Sequence, residues 1–460
     1  MAKIGIDFGT SYSTVCRINP KTGKAEPIRI NGEDKIPSIL YYSPDGGDPM
    51  VGKEAFDMFE LCRSIDDIDE VKRHIRGIVS GMKRKMNPDF RKRFADGREL
   101  SYVDMIAEFF SFIKQEVEQT VFVDEKVTGV CVTHPVDFAD YKKQILVEAA
   151  KKAGFKEVKM LMEPIAAAMG YKDNDFDYLN KSILIYDFGR GTFDLAFVKF
   201  DGNGDHITLP PMGDEDCGGE NIDRILYDAW DGIVYQESRR HIAKNQGEID
   251  LPFLKAVCQR QKEFLSAYFK KLPQYTLRVS IGNVSRQMPM TRELWEDMIS
   301  NVIDKTIVLT KQMLEVVERE HFTVDKILLI GGSSRFPQVK EELEKLLPGK
   351  VQAFEDADIA VAKGAAIFAN ESAIPKKKCY CRMDGKEMDT SMRCCPNCGT
   401  PNFKYDYRFQ NVEYSSEVQL QKPVANIERC FCLSCGKQID TSIEFCSCGA
   451  KNIKYKVGLS

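Results

Sequence analysis

Apolar positions recur with two different periods along the first 370 residues, and this predicts helices interleaved with strands. Residues 139–155 and 301–320 carry apolar side chains at the three- to four-residue spacing of an amphipathic helix. Residues 183–186 and 327–330 form short apolar runs, which are typical of buried strands. Alternation of this kind predicts an α/β architecture.

Two segments, one in each half of this region, repeat the same pattern. Residues 4–15 read IGIDFGTSYSTV and residues 184–198 read LIYDFGRGTFDLAFV. In each, an apolar run ends in Asp-Phe-Gly and a second apolar run follows, which predicts strand, tight turn, strand. One such turn alone is an ordinary hairpin, and the kinase motif with the same letters would need a preceding His-Arg-Asp, which this chain lacks. The matched pair predicts a duplicated fold.

The two turns have the chemistry of an anion site. Glycine lets the backbone adopt positive φ and approach a ligand closely, and free N–H groups of a turn attract phosphate. Asp7 and Asp187 would repel bare phosphate, so the pattern favours a hydrated Mg²⁺ between them and a nucleotide. No Gly-Lys-Ser or Gly-Lys-Thr run is present, which excludes a P-loop enzyme.

Length and charge narrow the class of protein. A chain of 460 residues exceeds what one hydrophobic core supports, so two or three domains are expected. The composition, 43% hydrophobic and 29% charged, is that of a soluble globular protein. A net charge of -4 gives no general attraction to nucleic acid or to an anionic membrane, and we expect neither as a partner. We expect a cytoplasmic protein, because the sequence shows no apolar leader or membrane-length run.

Further motifs stand in order around the two turns: VKRHIRG at 71–77, VTHPVDF at 132–138, MEPIAAAMGY at 162–171, GDEDCGGENID at 213–223, CQRQKEFLS at 258–266, ILLIGGSSRFPQV at 327–339 and DIAVAKGAAIFA at 358–369. Together they closely resemble the ATPase domain of the 70-kilodalton heat-shock chaperone family, within the actin-like (ribonuclease H-like) fold superfamily. The resemblance implies a lobe I at 1–180 with a small β-subdomain near 31–60. It also implies a lobe II at 181–372 with a C-terminal helix near 358–370.

The resemblance also implies roles for individual residues. Lys72 and Glu163 would position the attacking water and balance charge, and Asp7, Asp187 and Asp194 would hold the waters of Mg²⁺. The triphosphate would lie on Gly9, Thr10, Ser11, Tyr12, Gly189, Gly191, Thr192, Gly218, Gly219 and Glu220. Adenosine would lie among Gln259, Lys262, Ser266, Gly331, Gly332, Ser333, Arg335 and Asp358. The basic stretches 83–85 and 91–93 are interpreted as a solvated face.

The sequence departs from the family at three positions within these motifs. Arg190 stands where the family usually has glycine. Either that backbone position needs no positive φ, or the arginine reaches the phosphates; our hypothesis is that it binds the γ-phosphate. Gln259 and Glu263 stand where the family tends to have a glutamate and a base-stacking arginine, and loss of that cation–π contact would weaken or relax base recognition.

The cysteines mark a second kind of module. Only five of the fifteen cysteines precede residue 379, and these are interpreted as buried, reduced side chains. After a linker at 373–378, where the family normally continues into a peptide-binding domain, the pattern predicts a first zinc ribbon at 379–402, connecting strands at 403–429 and a second ribbon at 430–460. Paired cysteine turns complete tetrahedral Zn²⁺ sites, so two structural ions are expected. The predicted ligands are Cys379, Cys381, Cys395 and Cys398 in the first ribbon, and Cys432, Cys435, Cys446 and Cys448 in the second.

Cys394 and Cys430 are spare in this scheme, and a disulfide framework or an iron–sulfur cluster are the alternatives. The function expected is that of a slow ATPase of the chaperone class, whose lobe motion is coupled to a client or adaptor docked on the ribbons. A J-domain protein and a nucleotide exchange factor are the further partners that the resemblance implies. The alternative is an actin-like or nucleotide-sensing scaffold without chaperone activity.

Overall fold

A computed structural model describes residues 2–62, 65, 67–172, 180–201, 206–239, 241–242, 250–269, 271–281, 284–353, 357–371, 378–381, 383–392, 394–400, 402, 429–431 and 438–440. Contacts divide the chain into two compact units, residues 1–414 and 415–460. Among the helices that the structure describes, none has the length and apolar character needed to cross a bilayer.

Among its described residues, lobe I has one six-stranded sheet, a small three-stranded sheet, the two-stranded β8–β9 sheet and six helices. Its strands are β1 Ala2–Asp7, β2 Tyr12–Ile18, β3 Ala25–Pro27, β4 Ile36–Pro37, β5 Ile39–Tyr41, β6 Met50–Val51, β7 Ile78–Ser80, β8 Lys92–Arg93, β9 Glu99–Leu100, β10 Val127–His134 and β11 Glu157–Met162. Its helices are α1 Lys53–Leu61, α2 Ile68–Ile75, α3 Met82–Lys85, α4 Tyr102–Thr120, α5 Asp140–Lys152 and α6 Glu163–Lys172.

Lobe II repeats the larger sheet and adds a long hairpin. Its strands are β12 Ser182–Phe188, β13 Phe193–Phe200, β14 His206–Thr208, β15 Met212–Asp214, β16 Gln274–Ile281, β17 Val284–Thr291, β18 Lys326–Ile330 and β19 Val351–Ala353. Its helices are α7 Gly219–Ser238, α8 Asp250–Tyr268, α9 Arg292–Arg319, α10 Pro337–Leu346 and α11 Ala357–Asn370, with a 3₁₀ turn at Gly332–Arg335.

The two large sheets have the same topology, as the repeated turns predict. The first has the order β11-β10-β1-β2-β3 and the second has the order β19-β18-β12-β13-β14. In each, the hairpin strands are antiparallel and the next two strands are parallel to the first strand of the hairpin. The two Asp-Phe-Gly turns therefore occupy equivalent places in the two lobes. The small sheet, ordered β6-β5-β7 and packed on α1, lies where the β-subdomain is expected and extends it to Ser80.

Each lobe has its own core, and a third core joins the two sheets. The third core combines α6 and α11 with apolar side chains of β12, β13 and β18. Helix α11 is the last helix of lobe II in sequence, yet it packs mainly on α6, β1 and β2 of lobe I. Glycine makes this close approach possible, because a Cβ on Gly5 of β1 would lie 2.1 Å from the backbone nitrogen of Ala366. The pair α6 and α11 thus forms the layer between the two sheets.

Beyond the lobes, the structure describes two short hairpins. In the first unit, β20 Lys378–Tyr380 pairs with β21 Glu387–Asp389. In the second unit, β22 Arg429–Phe431 pairs with β23 Gln438–Asp440. The predicted connecting strands at 403–428 lie outside the described residues.

Candidate functional site

The β1–β2 turn and the β12–β13 turn line one cleft of about 1150 Å³. The cleft brings together most of the site residues that the sequence predicts: Asp7, Gly9, Thr10, Ser11, Tyr12, Glu163, Asp187, Gly189, Arg190, Gly191, Thr192, Gln259, Lys262, Ser266, Gly331, Gly332, Ser333 and Arg335. A cleft of this size between two lobes has room for a nucleotide.

Two of the glycines that line the cleft leave no room for a side chain. A Cβ on Gly9 would lie 2.0 Å from the carbonyl oxygen of Tyr12, so no side chain fits in the first turn. Gly331 has φ +80°, and a Cβ there would lie 2.5 Å from the carbonyl oxygen of Phe188. Backbone rather than side chain therefore forms these walls, as expected where a ligand approaches closely.

Four carboxylates collect between the lobes. The side chain of Asp7 accepts a hydrogen bond from Thr133 Oγ1 at 3.0 Å. Asp194, the cross-strand partner of Asp187 in the β12–β13 hairpin, accepts one from the backbone N–H of Val136 at 2.7 Å. It lies outside the residues that line the cleft. Burial, and then the charge of Glu163, raise the pKa of Asp187 well above its usual range and that of Asp194 to about 7.

This donor set fits a hydrated divalent cation. Carboxylates crowded together out of water are costly when ionised, and a bound Mg²⁺ would reverse that cost. Mg²⁺ is normally bound through one or two carboxylates and retains several waters. Asp7, Asp187 and Asp194 are the residues that would hold it.

The lysine beside Glu163 is Lys83, and this corrects the prediction for Lys72. Lys72 lies on α2, where its Nζ is 3.4 Å from Asp69 and its side chain is 35% exposed, and it does not line the cleft. Lys83 lies on α3, donates from Nζ to Glu163 Oε1, and is buried with it. Burial alone would lower the pKa of Lys83, but Glu163, Asp7 and Asp194 outweigh it and raise that pKa. The interpretation of residues 83–85 as a solvated face is wrong for Lys83.

The sequence contains two similar Lys-Arg pairs, and the local pattern does not show which of them reaches Glu163. Both 72–73 and 83–84 read Lys-Arg after an apolar residue. Gly81, in the left-handed conformation with φ 65°, begins the one-turn helix that carries the second pair. Arg84 also lines the cleft, and its Nη1 lies 2.6 Å from Glu220 Oε2 of lobe II.

Three of the residues expected at the triphosphate, all at the start of α7, donate their backbone N–H groups within the protein. The N–H of Gly218 donates to Asn221 Oδ1, that of Gly219 to the carbonyl of Gly189, and that of Glu220 to the carbonyl of Arg190. These bonds measure 2.9, 3.0 and 2.7 Å. In this structure the bonds fix the start of α7 against the β12–β13 turn, and Gly218, Gly219 and Glu220 are not among the residues that line the cleft.

Arg190 spans the cleft. Its Nη1 donates to Ser11 Oγ of lobe I at 2.8 Å and to Gln259 Oε1 of α8 at 2.5 Å. Among the described residues, Arg190 is not one of those with positive φ. This backbone position therefore does not require glycine, which is the first of the two alternatives given above. The side chain also meets Ser11, a residue expected at the phosphates.

The residues expected at adenosine lie on α8 and on the turn after β18. Lys262 is buried, and its Nζ lies 2.7 Å from Asp223 Oδ1 and donates to the carbonyl of Gly219. Asp223 was not singled out in the sequence, where it reads as one of several acids on α7. Ser333 Oγ donates to the carbonyl of Gly189 at 2.8 Å. Asp358 lies in the first turn of α11, and its side chain is outside the described residues.

The first cysteine module contains a cluster of metal-binding groups that differs from the predicted one. Cys381, Cys395 and Cys398 come together with Asp384, and their ligand atoms all lie within 4.8 Å of one another. Cys379 is buried, but it contacts Asn402, whose Nδ2 lies 3.5 Å from its sulfur. Three thiols and a carboxylate are a donor set that fits Zn²⁺. Cys394 is exposed, as expected of a spare cysteine. Cys432, Cys435, Cys446 and Cys448 lie outside the described residues.

Comparisons with known proteins agree with this architecture. A family profile described as "Hsp70 protein" matches residues 3–373. The rice (Oryza sativa subsp. japonica) protein "Heat shock 70 kDa protein BIP3" is 29% identical over 387 residues, which make up 80% of this chain and 56% of the relative. The chain thus matches little more than half the length of that relative. With the duplicated sheets and the cleft between them, the match over residues 3–373 shows that this chain belongs to the Hsp70 family.

Proposed function

We propose that the cleft binds and hydrolyses ATP with the help of Mg²⁺. Members of the Hsp70 family are ATPases. The observation that carries the proposal is the pair of equivalent turns facing one cleft, with Asp7 and Asp187 beside the buried pair Lys83–Glu163. Phosphoryl transfer depends mainly on positioning and on charge compensation, and these residue types supply both.

In this proposal the cation and the side chains that line the cleft have separate roles in the reaction. Bound Mg²⁺ would neutralise charge on the phosphate oxygens. Glu163, held by Lys83, would orient water, while the Lys83 ammonium would compensate charge that develops on the transferring phosphoryl group. Thr10, Ser11 and Thr192 would offer hydroxyls to the phosphates.

Calorimetry and turnover of the full chain test this proposal. We expect heat on mixing with Mg·ATP and slow release of phosphate. Asp187→Asn, which keeps the shape of the side chain, should abolish turnover and leave the fold intact, since it removes one of several crowded charges. Asp228→Asn, at an exposed site on α7, is the matched control and should behave as wild type. Absence of binding heat would overturn the proposal, and binding without turnover would favour the nucleotide-sensing alternative.

We also propose that the segment after residue 378 is a zinc-binding docking module for a client or adaptor protein. The family generally works with client proteins, J-domain proteins and exchange factors. In the first module Tyr380 and Met383 are 63% and 76% exposed, which suits a surface that meets another protein. If so, a denatured client should stimulate ATP turnover in the full chain. The double substitution Tyr380→Ser and Met383→Ser should remove that stimulation and leave basal turnover unchanged.

A further inference from the structure

Two turns in the first cysteine module share the same backbone geometry. In residues 395–400 the N–H of Gly399 donates to the carbonyl of Cys395 at 2.9 Å, and the N–H of Cys395 donates to the carbonyl of Thr400 at 2.8 Å. In residues 381–386 the N–H of Gly385 donates to the carbonyl of Cys381 at 3.0 Å, and that of Cys381 donates to the carbonyl of Lys386 at 2.8 Å. The two turns therefore have the same backbone hydrogen bonds at equivalent positions.

Glycine occupies the same place in both turns. Gly399 has φ 72° and Gly385 has φ 67°, a backbone conformation that favours glycine. One turn reads Cys-Pro-Asn-Cys-Gly and the other reads Cys-Arg-Met-Asp-Gly. Asp384 thus stands at the position that Cys398 holds in its own turn.

The four side chains at these positions converge. Cys381 Sγ lies 3.4 Å from Cys398 Sγ, and Cys395 Sγ lies 3.5 Å from Asp384 Oδ2. Tetrahedral zinc with bonds of about 2.0–2.3 Å requires ligand atoms roughly 3.3–3.8 Å apart. The separations across the two turns have this size.

Asp384 is also held in place as a metal ligand usually is. Its Oδ2 accepts from Asn397 Nδ2 at 2.8 Å, and its Oδ1 accepts from the N–H of Lys386 at 3.1 Å. Hydrogen bonds of this kind orient carboxylate ligands and tune their affinity. Cys379 does not join these four groups, because its sulfur packs against the side-chain amide of Asn402. Asn402 in turn donates to the carbonyls of Asp389 and Met392, so it closes the hairpin.

We propose that Cys381, Asp384, Cys395 and Cys398 form one Zn²⁺ site with three sulfur ligands and one oxygen ligand, and that Cys379 is a packing residue outside it. The inference rests on the proposed zinc binding of this segment and names its ligands. A carboxylate ligand makes this site harder, in the chemical sense, than a site with four thiolates.

Metal binding by the full chain tests the assignment. The protein is stripped of metal and titrated with Zn²⁺ against a chromogenic competitor, and with Co²⁺ to record thiolate-to-cobalt charge-transfer absorption. Asp384→Ala should weaken one site by more than about 100-fold, since loss of a supporting residue alone costs 10- to 100-fold. Asn397→Ala should fall within that smaller range. Asp384→Cys should retain metal and increase the charge-transfer absorption, because one thiolate is added.

Cys379→Ser decides between the two possible ligand sets. We expect it to leave zinc affinity and cobalt absorption unchanged. If Cys379→Ser lowers both while Asp384→Cys adds no absorption, the assignment is wrong and the site has four thiolates. Zinc binding that is intact in both Asp384→Ala and Asp384→Cys, with unchanged absorption, would also reject Asp384 and would leave the zinc module standing. If the wild-type chain binds no zinc, both the assignment and the module fail, whereas ATP calorimetry judges the cleft separately.

Discussion

At the scale of single residues, the proposed chemistry of the cleft depends most on the buried pair Lys83–Glu163. Both side chains are almost excluded from water, at 7% and 10% exposure. A buried charge is tolerated when its partner is present and becomes costly when the partner is removed. The pair therefore keeps a positive charge and a carboxylate together at the wall of the cleft, close to Asp7 and Asp187.

Replacing this lysine should stop the reaction without removing the nucleotide site. We expect Lys83→Met to lower ATP turnover by about 10²- to 10³-fold, the usual loss when a group that stabilises transition-state charge is deleted. Lys72→Met is the matched control, and its turnover should remain near wild type because Lys72 lies on α2 outside the cleft lining. Single-turnover kinetics would measure both variants.

Folding can be separated from chemistry in the same experiment. Lys83→Met leaves Glu163 without its buried partner, so the double variant with Glu163→Gln is prepared as well. The double variant should recover thermal stability and remain inactive. Full activity of Lys83→Met together with loss of activity in Lys72→Met would refute the geometry described above.

Arg190 allows a second test at the residue scale. Its guanidinium already donates to Ser11, so a γ-phosphate near Ser11 would gain a charge-assisted hydrogen bond. Such a bond contributes about 1.5–3 kcal/mol, so Arg190→Gly should weaken ATP binding by at least tenfold and ADP binding much less. Arg224→Ala, whose side chain is 82% exposed on α7, is the control. Equal ATP affinity in Arg190→Gly and wild type would show that the arginine only bridges protein groups.

Lys83 and Asp384 show what the sequence could not tell. The repeated turns are local patterns, and from them the sequence predicted that Asp7 and Asp187 lie together in one cleft, as they do. The choice between Lys72 and Lys83 depends on which short helix brings its lysine to Glu163, and a one-turn helix has no hydrophobic periodicity from which to predict this. Asp384 was not predicted for a different reason. The predicted ligands were chosen by pairing cysteines according to their spacing, and in the turn at 381–385 the second ligand is an aspartate.

At the scale of elements, the hairpins and long helices follow from sequence, whereas the place of α11 does not. Its sequence is apolar and small on nearly every face, which indicates a buried helix. Such a helix has no polar face that would show which sheet it covers. The structure places it on lobe I, where small residues let it approach α6 closely.

Glycine at this helix contact should be essential for stability. A Cβ on Gly364 of α11 would lie 1.7 Å from the carbonyl oxygen of Ala166 on α6, and both atoms belong to rigid backbone. We expect Gly364→Ala to lower the free energy of unfolding by about 1–3 kcal/mol, the usual cost of overpacking, and to reduce the thermal midpoint measured by circular dichroism.

Gly232 provides the matched control, since it also lies in a helix interior. A Cβ there would meet nothing within 4 Å. Gly232→Ala should therefore stabilise α7 by about 0.5–1 kcal/mol through helix propensity alone. If Gly364→Ala were as stable as Gly232→Ala, the close contact between α6 and α11 would be incorrect.

At the scale of the whole molecule, the lobes meet through charged pairs as well as through the shared core. Arg84 of α3 pairs with Glu220, and Lys142 of α5 pairs with Glu215 at 3.1 Å, each across the cleft. Pairs that are partly open to solvent contribute little individually. The shared core thus holds the lobes together, and the charged pairs add little to that attachment.

The cysteine module should depend on metal in a way that the lobes do not. Among its described residues, the buried cluster contains Cys379, Cys381, Met388 and Cys395, and its sheet has two three-residue strands. A core of this size cannot offset the entropy of ordering the chain, so we expect metal binding at the proposed zinc site to supply most of the folding energy. The lobes each have an extensive apolar core of their own.

Zinc removal should therefore unfold the module and spare the ATPase. The full chain is treated with a chelator and then transferred to excess Mg²⁺, so that loss of zinc is not confused with loss of magnesium. We expect limited proteolysis to cut within residues 378–402 after this treatment, while basal ATP turnover and the main thermal transition stay as before. Stimulation by a denatured client should disappear and return when Zn²⁺ is restored. A fall in basal turnover that zinc reverses would contradict this independence, because it would mean that the lobes need the module in order to fold.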